Sequence, residues 1–124
     1  GAAVGDSGDP GPALKERSDV HPADHPLRIV LHAPTASAAM RARKNAANLS
    51  KQSTPVEVRI VVNAEAVEAV LDTPDAGADR ITFVCPHTLA RIGRYAPQPL
   101  AVLEESAVLA IARMQADGWH YIRS

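Results

Sequence analysis

The chain has 124 residues, enough for one domain and too few for two with separate cores. Thirteen Lys and Arg against fourteen Asp and Glu give a formal charge of -1, so no positive field is available to attract a phosphate backbone or an anionic membrane. Aromatics are only 3% of residues, a poor supply for stacking a flavin or bases, and the single cysteine, Cys85, rules out an internal disulfide.

No apolar run approaches the ~20 residues of a membrane-spanning helix. No basic segment followed by an apolar one opens the sequence, so no secretory signal is expected. A lone thiol fits a reducing compartment, and a cytoplasmic location is expected, with neither a nucleic-acid nor a membrane partner.

Residues 1–26 hold four prolines and no apolar periodicity, and they read as a disordered tail ahead of one domain over 27–124. His21 and His25 are four apart, but Pro22 and Pro26 argue against a shared helical face, so no metal site is expected there. Leu27 to His32 reads as a strand, and Pro34 and Thr35 open a helix to about Ser50 with Ala39, Ala42, Ala46 and Leu49 as a slim apolar stripe. The basic residues of that helix read as a solvated face.

Val56 to Val62 is a second strand, β-branched enough for burial on both faces of a parallel sheet. Asn63 is expected to cap a short helix over 64–71, with Val67, Val70 and Leu71 inward. The stretch 72–79, DTPDAGAD, is turn chemistry. Arg80 to Cys85 is a third strand, Pro86 begins a helix that stops near Gly93, and Leu100 to Leu103 is a fourth strand. Ser106 starts the last helix, Gly118 ends it, and Trp119 to Arg123 is a fifth strand in which His120 reads as a packing residue. Strand and helix alternate throughout, which predicts an α/β fold: a five-stranded, mainly parallel sheet with helices on both faces, flavodoxin-like and doubly wound in three layers.

In such a sheet, ligands gather at the carboxyl ends of the strands, where the winding reverses. His32, Asn63 and Cys85 all fall at strand ends. With a strand order of 2-1-3-4-5, strands one and three would be neighbours, and His32 and Cys85 would flank the reversal. Cys85 precedes Pro86, a favoured first helical residue, and so occupies an N-cap-like position where unsatisfied amides favour a thiolate. His87 offers a further donor or charge. Two readings stand side by side: a nucleophilic thiol able to hold a sulfane sulfur, or a small buried hydrophobe ending a strand. Cys85, His87 and His32 as a metal site, and the glycine-free HAPTAS segment over 32–37 as a phosphate loop, are both poorer readings.

The stretch 83–93, FVCPHTLARIG, with 110–121, AIARMQADGWHY, resembles the DsrE/DsrF-like family, in particular a branch with a C-x-N-[ST]-L signature and an L-Q-x-x-G-[YW]-x-Y ending. The segments RKN at 43–45 and RIVVN at 59–63 are similar to that family's first helix and second strand. This resemblance implies a compact five-stranded α/β fold, assembly into homotrimers or hexamers, and a strand-end cysteine that accepts and passes on sulfur. That cysteine maps onto Cys85, with Thr88 and Leu89 as its motif neighbours. Pro86, His87, Thr88, His32 and Asn63 are the expected supporting residues. His87 stands where the pattern usually has Asn, and Ala64 where Gly often follows the Asn. The expectation is a sulfur carrier that takes sulfane sulfur from a donor protein or small persulfide and hands it to an acceptor thiol, with no metal or organic cofactor. Because this is exchange rather than turnover, enzyme status stays open. The alternative is a non-catalytic oligomeric module that binds a small ligand or partner, with Cys85 as core filling.

Overall fold

The structure, a computed structural model, describes residues 26–124, so the expected tail and its histidines His21 and His25 lie outside the described residues, apart from Pro26. The apolar and β-branched runs form strands β1 (Leu27–Ala33) and β2 (Val56–Val62), and shorter runs form β3 (Thr82–Val84), β4 (Ala101–Val102) and β5 (His120–Arg123). Between them lie α1 (Ala36–Leu49), α2 (Glu65–Asp72), α3 (Ala76–Asp79), α4 (Pro86–Ile92) and α5 (Ala107–Ala116).

All five strands are parallel, in the order β4-β3-β2-β1-β5. The chain therefore steps one way from β1 to β4 and then crosses back to place β5 on the far side of β1. Right-handed crossovers made in opposite directions put their helices on opposite faces, and the core divides accordingly. Ile29, Leu31, Ala33, Ile60, Val62 and Val84 pack with α1, α2 and α4 residues, while Val30, Val61 and Cys85 pack with Ala107, Ala110, Ile111 and Met114 of α5 and with Trp119. The result is the expected three-layer, doubly wound, flavodoxin-like α/β architecture.

The alanine stripe of α1 (Ala38, Ala39, Ala42 and Ala46) is buried, and side chains this small let the helix lie close to the sheet. Thr35 caps α1 by accepting from the Ala38 amide at 3.1 Å. Gly93 (φ 68) and Gly118 (φ 98) take the positive-φ positions just after α4 and α5, where a Cβ would be strained.

Three local readings need correction. The 72–79 stretch contains the short helix α3, capped by Asp75, which accepts from the Ala78 amide at 3.1 Å. His120 is exposed, and the packing role belongs to Trp119, over which the guanidinium of Arg59 lies at 4.4 Å. The basic face of α1 is not wholly solvated. Arg43 turns inward and pairs with Asp79 of α3 at 3.2 Å, with side-chain exposures of only 9% and 7%.

Asp79 Oδ2 also accepts from the Asp75 amide at 3.2 Å, so the carboxylate fastens α3 to α1. Removing one partner of a buried pair leaves the other charge uncompensated, whereas an exposed pair contributes little. Asp79→Ala is therefore expected to destabilise the fold by about 3 kcal/mol in urea denaturation, while Asp72→Ala, which breaks the exposed pair with Arg94, stays within about 1 kcal/mol. Equal losses from the two would contradict this.

Candidate functional site

Cys85 follows β3 and is the N-cap residue of α4, with Pro86 at the helix start, where its missing N–H costs nothing. The residue is 5% exposed, and its side chain points to the α5 face of the sheet. Burial alone raises a thiol pKa, because it disfavours the anion. Here that effect is outweighed. The backbone amides of Thr88, Ala107 and His87 and the Thr88 hydroxyl all act on the sulfur, and the thiol pKa lies below its ordinary value. The Cys85 side chain makes no capping hydrogen bond.

The donors come from two helices. Thr88 and His87 belong to the first turn of α4, and Ala107 is the first residue of α5. Topology explains the meeting: β4 is β3's neighbour, Leu103 N donates to Val84 O at 3.0 Å, and α5 then sets off across the opposite face. The start of α5 is thus placed over the end of β3. The first N–H groups of any helix lack intrahelical acceptors and are free to face an anion.

The second group of polar residues lies at the end of β1. His32 Nε2 donates to Asn63 Oδ1 at 3.0 Å, and its Nδ1 shares a hydrogen bond of 2.7 Å with the Tyr121 hydroxyl. Tyr121 and His32 bridge β5 and β1, the pair of strands between which the winding reverses. This alters the expected arrangement. With β2 between β1 and β3, His32 and Cys85 do not flank one crevice, and two strand spacings of about 4.8 Å separate their strands. His32 therefore does not touch the sulfur.

Asn63 is the residue between the two groups, but not as a helix cap. Ala64 takes the N-cap position of α2 with no side-chain capping bond, and the Asn63 amide is turned to His32 instead. Ala64 has φ 50 and ψ -136, the one positive-φ non-glycine among the described residues. Its N–H donates to Thr88 Oγ1 at 3.2 Å. His87 is exposed, and only its backbone amide bears on the sulfur.

Of the expected residues, Cys85, Pro86, His87 and Thr88 come together at one helix start, while His32 and Asn63 form an adjoining group with Tyr121. Ala107, Ala64 and Tyr121 were not among the expected site residues. Ala107 contributes a backbone amide that no residue type announces, and its one signal is its place directly after the Ser106 cap. Among the described residues no group of three or more His, Cys, Asp and Glu side chains is arranged to hold a metal ion, and no helix is long and apolar enough to cross a membrane. No family model matches the chain, and no curated protein matches it in sequence.

Ala107→Pro tests the second helix's role. Proline suits the first helical position, and Ser106, with ψ 152, already has the backbone conformation that precedes proline. Removing this one amide is expected to raise the Cys85 thiol pKa, read from the pH dependence of alkylation. It is also expected to shrink the linked stability. A depressed folded-state pKa stabilises the protein above the unfolded thiol's pKa, and that gain disappears as pH falls through the folded value. An unchanged alkylation profile in a folded variant would remove Ala107 from the site.

Proposed function

We propose that this protein carries sulfane sulfur on Cys85. The Cys85 thiolate attacks the outer sulfur of a donor persulfide; a new S–S bond forms on Cys85, the donor's S–S bond breaks, and the donor leaves as a thiolate. An acceptor thiolate then attacks the outer sulfur of the Cys85 persulfide and releases the Cys85 thiolate. No net oxidation occurs in either step, and no cofactor takes part.

The observation that carries this reading is the place of Cys85 at the cap of α4 and beside the first residue of α5, with a thiol pKa below its ordinary value in spite of burial. A cysteine that only filled the core would need no such shift, and a nucleophile or leaving group does, because the thiolate is the reactive form. The resemblance of the 83–93 and 110–121 stretches to the DsrE/DsrF-like family supports the same chemistry. So does the backbone at Ala64. Gly often stands there in that family's pattern, and this residue has a positive φ.

The reading includes a homotrimer or homohexamer in a reducing, cytoplasmic setting, with sulfur donor and acceptor proteins as partners. Val108 and Leu109 on the outer side of α5, at 72% and 44% exposed, and the open edge strand β5 with Tyr121 and Ile122 are in keeping with self-association. One observation favours a second reading, a binding module in which Cys85 is structural: the residue is buried within the α5-side core.

The purified protein incubated with a sulfane-sulfur donor separates the two readings. Gain of one sulfur atom on Cys85 by mass spectrometry, lost again on adding an acceptor thiol, is the expected result. A protein that gains no sulfur while its alkylation shows the thiol to be accessible leaves the structural reading. Light scattering on the same sample is expected to give three or six chains, and a monomer would remove the oligomeric part.

A further inference from the structure

The Arg43 guanidinium is almost wholly enclosed, yet one of its donors has no acceptor. The side chain is 9% exposed, Nη2 pairs with Asp79 Oδ1 at 3.2 Å, and Nη1 meets the Met40 sulfur at 4.0 Å. Nε is buried and makes no hydrogen bond among the described residues. A buried N–H left unsatisfied costs more than an ordinary hydrogen bond returns, and on a charged group the cost is higher. The pairing with Asp79 accounts for the buried charge but not for this donor.

Arg43 also lines a cleft of about 400 Å³ between α1 and α3. That volume is within the range of small-molecule sites. The cleft lies on the face of the sheet opposite Cys85 and is separate from the thiol. Its wall is apolar at Ala46, Ala47, Ala78 and Ile81 and polar at Ser50 and Asp75. The two polar residues supply acceptors. Ser50 Oγ donates to the Ala47 carbonyl at 2.6 Å, and Asp75 uses Oδ1 to cap α3, so the Ser50 oxygen and Asp75 Oδ2 are left to accept.

Charge decides the class of ligand. Asp79 already neutralises Arg43, and Asp75 adds a negative charge at the cleft. An anion meets net repulsion there, and an uncharged carbonyl oxygen does not. A carboxamide matches the lining on each count: its oxygen suits the Arg43 donor, its N–H suits Ser50 or Asp75, and a short aliphatic body suits the alanines.

We propose that the cleft between α1 and α3 binds a small aliphatic carboxamide, whose oxygen accepts from Arg43 Nε–H. The site is independent of the carrier reading and asks nothing of Cys85.

The test is a titration of the full chain with isobutyramide, followed on the Arg43 Nε–H resonance by heteronuclear NMR. Isobutyrate, similar in shape but anionic, is titrated alongside. A saturable shift with isobutyramide and none with isobutyrate is the expected result. The shift is expected to vanish in Ala47→Leu, which fills the cleft from the exposed side of α1 and leaves Arg43 and Asp79 unaltered. Should that variant fail to fold, Gly77→Leu fills the cleft from α3, where an added Cβ meets only Asp75 Oδ1 at 3.8 Å. Absence of a saturable shift with isobutyramide overturns the proposal, and so does an equal shift with isobutyrate. A shift that survives in a folded, filled variant places the binding elsewhere and overturns it as well.

Discussion

A sulfur atom enclosed by protein and a set of N–H dipoles turned towards it pull the same thiol in opposite directions. Desolvation favours the neutral form, and converging donors favour the anion. At Cys85 the donors prevail, through the amides of Thr88, Ala107 and His87 and the Thr88 hydroxyl. Low solvent exposure and a lowered pKa rarely coincide without such donors. The balance bears on the chemistry available: a thiolate sheltered from bulk water, with a pKa below the ordinary thiol value, is suited to exchange with another sulfur.

The winding of the sheet produces this arrangement. Because β4 lies beside β3 and the next connection crosses to β5, α5 must begin over the end of β3 and run across the face that α1, α2 and α4 leave uncovered. Two helix starts then meet at Cys85, one continuing from its own strand and one arriving from the neighbour. The same crossing makes β1 and β5 adjacent and brings His32 and Tyr121 together. The polar ends of the strands are thus divided into a sulfur group and an imidazole group, with Asn63 and Ala64 of the intervening strand end touching one each.

Much of the architecture was legible in the sequence because local chemistry and tertiary burial agree. Val56 to Val62 is β-branched where it is most buried, Pro86 and Gly93 bracket α4, and Ser106 and Gly118 bracket α5. The place of Cys85 at the helix cap before Pro86 was readable for the same reason, since a cap position is a local property, whereas Thr88 entered only through the family resemblance. Strand order was not readable, because it depends on which crossover reverses, and the alternating pattern is the same for 2-1-3-4-5 as for the order found. That one difference separates His32 from Cys85. Asn63 misled because its side chain has two good partners, a helix start and an imidazole, and only the tertiary fold brings the second. Arg43 was read as solvated because its partner, Asp79, lies in a stretch whose composition is that of a turn. Ala107 acts through its backbone, which side-chain identity does not encode.

The most direct measurement is the ultraviolet absorbance of the thiolate followed through a pH titration of the native protein and of the same protein unfolded in urea. Cys85 is the only thiol, so the signal belongs to one atom. A native midpoint below the unfolded one is the result this account requires. A native midpoint equal to or above it would mean that burial prevails over the helix dipoles, and the sulfur would then be core filling.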